Sequence, residues 1–160
     1  MSHVFRKVLC PVDFGPNTGM TIEMARQVAE ANLGTVILLH VVPMPIEAIG
    51  QPLMIEPLAG AEDDARQRLN RIASETLTHA YEIVVVTGDP AVAIGAAAEE
   101  HGADLIVMAT HGRTGIGHFF LGSVAERVVR ESPVPVMTVR APSERADSHR
   151  SPSSPVERRN

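Results

Sequence analysis

The chain has 160 residues, 44% of them hydrophobic and 21% charged, with a formal net charge of -5. This composition favours one globular domain, and the acidic balance argues against a nucleic-acid-binding protein, whose surface is normally basic. The chain has no apolar run near the roughly 20 residues that cross a bilayer, no signal-peptide core in its first residues and a single cysteine, Cys10, so we expect a soluble cytoplasmic protein without a membrane partner.

Apolar stretches of strand length alternate with stretches of helical periodicity along most of the chain. The predicted strands cover residues 4–12, 35–42, 81–87, 105–108 and 134–139, and the predicted helices cover 20–33, 58–80 and 91–100, with a fourth that opens at Gly122-Ser123. Gly34 is the expected C-cap of the first helix, whereas Asp89 and Pro90 are expected to open the third. A long irregular loop, from Pro43 to Pro57, carries four prolines and interrupts this alternation.

This order of elements predicts an α/β fold, a doubly wound parallel sheet with helices on both faces and right-handed crossovers. Ligands of such sheets bind at the carboxyl ends of the strands, where the strand order reverses. The predicted domain covers residues 1–141. Residues 142–160 are rich in Ser, Pro and Arg without periodicity, which predicts a disordered tail.

The segment from Leu105 to Arg140 combines a buried strand, a glycine-bearing loop and a helix that begins at Gly122-Ser123. The first N–H groups of a helix lack internal partners and carry partial positive charge, so this arrangement favours an anion. The Ser123 hydroxyl could bond a phosphate or cap the helix, and an ordinary N-cap beside a loop is the alternative. On the solvent side of the helix, Glu126–Arg130 and Arg127–Glu131 are spaced to pair.

The loop Ala109-Thr110-His111-Gly112, followed after nine residues by Gly122-Ser123, resembles the nucleotide loop G-x2-G-x9-G-[ST] of the universal stress protein family. The resemblance extends over roughly residues 3–140, through the segments KVLCPVD, LHVV, LGSVAERVVR and PVPVMTVR. Ala109 replaces the first glycine of the motif. The replacement costs about 1 kcal/mol or more if that position needs a positive φ, and little if it is extended.

The resemblance implies a five-stranded sheet of order 3-2-1-4-5, an adenine-nucleotide alpha-hydrolase-like fold that binds ATP. It implies an adenine held against the backbone of Val41 between Pro11, Val12 and Met108. It also implies a contact of Asp13 with the ribose or nearby, and a cap of the loop after the first strand is the alternative for this residue. The resemblance further implies a phosphate cradle that consists of Gly112, Gly122, Ser123 and Val124, with Ala109 a further binding residue at the start of the loop. His111 and Arg113 could reach the phosphates, or they could be solvated loop residues. His40, within a strand, is expected to be a hydrogen-bonded core histidine.

The chain has no G-x-x-x-x-G-K-[ST] motif and no evident general base beside Ser123, so we expect ATP binding with little or no hydrolysis, as in a stress-response regulator. A triphosphate in a neutral cradle leaves charge for Mg²⁺ to neutralise. The alternatives are an interaction module of the same fold that binds no nucleotide, for which Ala109 argues, and a slow ATPase or phosphotransferase.

The last predicted strand, from Val134 to Val139, lies at a sheet edge, where an apolar strand invites pairing with another chain. The resemblance implies a homodimer formed by antiparallel pairing of this strand with its copy. Shielding of the edge by Pro133, Pro135 and the tail is the alternative.

Overall fold

The computed structural model describes residues 4–44, 60–110 and 121–140, which form five strands and four helices. In chain order these are β1 (Lys7–Pro11), α1 (Thr18–Ala31), β2 (Thr35–Pro43), α2 (Ala61–Thr76), β3 (Tyr81–Gly88), α3 (Pro90–Glu100), β4 (Leu105–Ala109), α4 (Ser123–Glu131) and β5 (Val136–Val139). None of the helices within these ranges is both long and apolar enough to cross a bilayer. Most of the predicted loop between Pro43 and Pro57, and the predicted tail at 142–160, lie outside the described residues.

The five strands form one parallel sheet with the order β3-β2-β1-β4-β5, which confirms the predicted fold and strand order. In the centre, Leu9 of β1 stands beside Ile37 of β2 on one side and Ile106 of β4 on the other. The order reverses between β1 and β4, because the chain winds outward to β3 before it returns across the sheet. A crevice at the carboxyl ends of β1 and β4 follows from this reversal.

Each strand sends alternate side chains to opposite faces of the sheet, and each face carries two helices. On one face, Val8 of β1 and Leu38 of β2 pack with Leu69 of α2 and with the buried side of α1. On the other face, Leu39 of β2 packs with Val128 of α4 and with the alanine-rich side of α3. The strands are therefore covered on both faces, as their continuous apolar sequences predict.

Cys10 lies in the middle of β1 and has no exposed surface. Complete burial raises the pKa of its thiol to about 12, because the thiolate would lose its hydration. The expectation of an inert core thiol agrees with this environment.

Several element boundaries differ from those predicted, and three of the differences have a local cause. β1 begins at Lys7, because the backbone N–H groups of Arg6 and Lys7 donate to the side chain of Asp104 and not to a strand, at 2.9 Å for Arg6. α2 ends at Thr76 and not at residue 80, because Leu77 is extended, with φ -108° and ψ 119°. β5 begins at residue 136, after the two prolines that were expected to stop α4.

At the end of α1, the residue in the left-handed conformation is not the one predicted. Leu33, not Gly34, has a positive φ of 52°, and its side chain is 77% exposed. The N–H of Gly34 donates to the carbonyl of Ala29 at 2.8 Å and that of Leu33 to Glu30 at 3.1 Å, which is the Schellman pattern. Gly34 is needed for another reason: a Cβ on it would lie 2.3 Å from the carbonyl oxygen of Arg6.

Candidate functional site

A cavity of about 320 Å³ opens at the carboxyl ends of β1, β2 and β4, where the strand order reverses. Nine residues that the sequence analysis singled out line it together: Pro11, Val12, Asp13, Val41, Met108, Ala109, Gly122, Ser123 and Val124. Leu39, His40, Pro43, Pro90, Ile94, Thr110 and Ala125 complete the lining. The other three predicted residues, His111, Gly112 and Arg113, lie outside the described residues. The topology thus gathers residues from five elements, β1, β2, α3, β4 and α4, at one place.

The N-terminus of α4 forms one side of this cavity. Gly122 occupies the N-cap position in an extended conformation, with φ -60° and ψ 150°, and no side chain in the described part of the chain caps the helix. Ser123 is the first helical residue, so its hydroxyl does not serve as the cap that the sequence left open. The N–H of Gly122 donates to the carbonyl of Thr110 at 2.8 Å, which brings the two ends of the glycine loop together beside β4. The positive end of α4 therefore lies at the cavity, and no side chain of residues 4–44, 60–110 or 121–140 caps it.

Asp13 follows β1 at the other side of the cavity. Its Oδ1 accepts the N–H of Gly15 at 2.9 Å, which makes a short turn at the start of the β1–α1 connection. Its Oδ2 is buried and has no hydrogen-bond partner among the described residues. A buried carboxylate oxygen without a donor is costly, so this atom is suited to a hydroxyl or amide donor from a bound molecule.

His40 lines the cavity from β2, a position that the sequence analysis did not assign to the site. Its Nδ1 lies 2.7 Å from the carbonyl oxygen of Val12, so Nδ1 carries the proton and donates it. The ring also stacks on Phe14, with centroids 4.4 Å apart, and the Arg68 guanidinium lies 3.9 Å from the centre of the Phe14 ring. Phe14 has a positive φ of 59°, so these contacts hold the β1–α1 connection in an uncommon backbone conformation.

The N-terminus of α3 also reaches the cavity, through Pro90 and Ile94. As predicted, Asp89 caps α3 and Pro90 follows it: Asp89 Oδ1 accepts the N–H of Val92 at 3.0 Å. That hydrogen bond, and then the one from Arg127, hold the pKa of the Asp89 carboxyl below its usual value.

The charged residues of α4 pair differently from the prediction. Arg127 binds Asp89 of α3 at 3.0 Å, not Glu131 one turn further along its own helix. Glu131 is bound instead by Arg130 at 3.1 Å, while the predicted Arg130–Glu126 pair is present at 3.8 Å. The expected pairing of Arg127 is wrong because helical spacing carries no information on a partner in another helix.

The sequence model of the universal stress protein family matches residues 5–140. This chain belongs to that family. A curated universal stress protein of Thermus aquaticus is 30% identical over 137 residues, 86% of this chain and all of the relative. The solved structure of a universal stress protein of Methanocaldococcus jannaschii is 26% identical, with a TM-score of 0.72 over 87% of this chain and 98% of that one. A third family member, solved in complex with cAMP, is 24% identical and has a TM-score of 0.64 over 86% of this chain and 98% of its own.

Within this universal stress protein, Ala109 stands where the family's loop motif has its first glycine. It is the last residue of β4 and pairs in register with Val139. The non-glycine residues with positive φ in the described ranges are Phe14 and Leu33, so Ala109 is not in the left-handed region. The backbone penalty that the sequence left open therefore does not arise in this conformation.

Proposed function

We propose that this universal stress protein binds an adenine nucleotide, ATP above all, in the cavity and acts as a nucleotide-linked regulator of the stress response in the cytoplasm. One observation carries the proposal: the N-terminus of α4 and the Asp13 Oδ2 atom lie on the lining of one cavity, and neither has a side-chain cap or hydrogen-bond partner among the described residues. The helix N-terminus attracts phosphate, and the carboxylate oxygen accepts a hydrogen bond from a hydroxyl. A nucleotide offers both groups, in its phosphates and its ribose. The cAMP bound by a solved family member is an adenine nucleotide as well.

The proposed binding mode retains the family assignments for this chain. The adenine lies against the Val41 backbone and the apolar walls made by Pro11, Val12 and Met108, which all line the cavity. The phosphates lie at Gly122, Ser123 and Val124, with Ala109, His111, Gly112 and Arg113 contributing from the loop. Mg²⁺ would be held by phosphate oxygens and water, because Asp13 is the one carboxylate of the lining in the described part of the chain.

We expect little or no hydrolysis. The ionisable side chains among the described lining residues are Asp13 and His40, and both are already hydrogen-bonded to the backbone. A general base must lie within hydrogen-bond reach of the attacking water and have a lone pair for its proton. Asp13 and His40 reach the lining from the β1 and β2 side of the cavity, whereas the proposed phosphate end lies at α4, so regulation by the bound state is favoured over turnover.

The direct test is native mass spectrometry of the purified protein, followed by calorimetric titration with ATP and Mg²⁺. Bound or titratable ATP is the expected result, together with phosphate release at background level. A folded protein that neither carries nor binds any adenine nucleotide would overturn the proposal in favour of an interaction module.

Replacing Asp13 by Asn is expected to weaken adenosine binding about tenfold, because the amide keeps an acceptor for Gly15 but offers a donor where Oδ2 stood. In calorimetry, the wild type should lose a similar factor when adenosine is replaced by 2′,3′-dideoxyadenosine. The variant should then bind the two nucleosides about equally. If both proteins distinguish the nucleosides to the same extent, Asp13 does not contact the ribose.

We also propose that the protein is a homodimer paired through β5, the edge strand of the sheet. The carbonyls of Pro135 and Val139 accept from β4, so the peptide groups of the alternate residues, Val136 and Thr138, point away from the sheet. These outward groups are available to a second copy of the strand.

Replacing Thr138 by Pro should therefore weaken the dimer tenfold or more, by roughly 1.4 kcal/mol or more, because it removes one outward N–H without removing a bond to β4. Thr138→Val is the matched control, since it keeps the N–H and the branched side chain. Sedimentation of both variants measures the effect. An unchanged dimer in the proline variant would contradict pairing through β5.

A further inference from the structure

Arg127 and Asp89 join α4 to α3 directly. One guanidinium nitrogen of Arg127, Nη1, lies 3.1 Å from Oδ1 and 3.0 Å from Oδ2 of Asp89. Asp89 Oδ1 also accepts the N–H of Val92, so the same carboxylate caps α3 and binds α4. We refer to the Arg127–Asp89 ion pair as the α3–α4 clasp.

The clasp lies immediately behind the wall of the cavity. Asp89 directly precedes Pro90, which lines the cavity, and Arg127 lies one helical turn after Ser123, which lines it from α4. The clasp thus joins two helices that both contribute residues to the cavity lining. Its side chains are 40% and 50% exposed, and ion pairs of that exposure contribute little to folding stability.

The negative charge of Asp89 affects ligand binding more than the ion pair affects folding stability. Among the described lining residues there is no lysine or arginine that could offset this carboxylate at a bound phosphate. An unpaired carboxylate would repel the ligand in proportion to the ligand's own negative charge. Arg127 supplies the compensating charge at about 3 Å.

We infer that Arg127 is a positioning residue of the nucleotide site, which neutralises Asp89 and thereby allows this site to accept ligands with several phosphates. The inference rests on the proposed function and adds a specificity to it. It assigns to the clasp a preference for highly charged nucleotides, and not a contribution to the recognition of adenosine.

The two residues can be separated experimentally, because asparagine caps helices about as well as aspartate does. Asp89→Asn therefore keeps the cap of α3 and removes the charge, whereas Arg127→Met removes the compensation and keeps the aliphatic part of the side chain. Arg130→Met is the matched control: Arg130 lies on the same helix and binds Glu126 and Glu131, with no bond to α3 in the described contacts.

Calorimetric titrations with adenosine, AMP and ATP test the inference. In Arg127→Met, we expect ATP affinity to fall about tenfold, AMP affinity about threefold and adenosine affinity less than twofold, since the repulsion scales with ligand charge. Adding Asp89→Asn should restore ATP affinity to within about twofold of the wild type. Arg130→Met should change none of the three affinities.

Four results would overturn the inference. An equal loss for adenosine and ATP would make the clasp a structural contact, and a double variant that stays weak would mean that Arg127 acts on the ligand and not through Asp89. Unchanged ATP affinity in Arg127→Met would overturn the inference alone. A wild type that binds no nucleotide would overturn the proposed function and, with it, this inference.

Discussion

Replacing Gly122 by Val and Ser123 by Leu in one protein is expected to weaken ATP binding at least about 100-fold, which is about 2.7 kcal/mol at room temperature. Both residues line the cavity at the N-terminus of α4. The substitutions remove the hydroxyl and place two apolar side chains where phosphate oxygens would meet backbone N–H groups. Loss of two hydrogen bonds to a charged group, at roughly 1.5–3 kcal/mol each, accounts for an effect of this size.

The fold should survive this change. Gly122 has φ -60° and ψ 150°, an extended conformation that valine adopts readily. Valine is a poorer N-cap than glycine, so a loss of about 1 kcal/mol in the free energy of unfolding is expected and can be measured by urea denaturation. Calorimetry at a urea-free, fully folded condition then isolates the loss of binding.

Gly19→Ala is the matched control, a glycine substitution in the first turn of α1. Nothing lies within 4 Å of a Cβ at Gly19, and Gly19 does not line the cavity. This variant should bind ATP as the wild type does and be slightly more stable, by less than about 1 kcal/mol. If the double variant at α4 also bound ATP normally, the phosphates would have to lie elsewhere and the proposed cradle would be wrong.

The second large effect is expected at the junction of α1 and β2. Gly34→Ala should lower the free energy of unfolding by about 3 kcal/mol, because the new methyl group would lie far inside contact distance of backbone atoms. The nearest atoms are the carbonyl oxygen, carbonyl carbon and Cα of Arg6, at 2.3, 2.8 and 2.8 Å. Since these are backbone atoms next to β1, relief requires a shift of the chain and not a change of rotamer.

Leu33→Gly is expected to have the opposite sign and to stabilise the protein by about 1 kcal/mol. Leu33 has φ 52° and is 77% exposed, so glycine relieves the left-handed conformation and sacrifices little packing. Urea denaturation of Gly34→Ala and Leu33→Gly measures both changes in the free energy of unfolding. A left-handed C-cap at Gly34, as expected from the sequence, would also make Gly34→Ala destabilising but would give no gain from glycine at residue 33, so Leu33→Gly distinguishes the two descriptions.

The strands could be predicted because a strand that is buried on both faces has a continuous apolar sequence, and the family resemblance implied their order. Residues such as Leu38 and Leu39 are consecutive, yet both are fully buried on opposite faces of β2. The ends of elements are decided by tertiary contacts that no local pattern contains. Asp104 takes the N–H groups of Arg6 and Lys7 across 97 residues or more, and so shortens the first strand.

Some features of the site could likewise be predicted from the sequence, and others depend on tertiary contacts. Asp13, Gly122 and Ser123 could be placed from turn chemistry, a loop motif and the rule for parallel sheets, and the cavity brings them together. His40 was missed as a lining residue because a histidine within an apolar strand carries no sign of where the strand ends relative to a crevice. The partner of Arg127 was missed because Asp89 lies 38 residues away in another helix.

The burial of Cys10 has a practical consequence for all of these measurements. The chain has no tryptophan and one tyrosine, so intrinsic fluorescence reports weakly on its folding. A lone thiol inside β1, with a pKa of about 12, reacts with an alkylating reagent only when the strand becomes accessible. The rate of alkylation in native buffer therefore counts opening events, and a ligand that binds the closed protein should slow it by the factor 1 + [L]/Kd. The alkylation rate of Cys10 at increasing nucleotide concentrations therefore measures nucleotide affinity without a label on the protein.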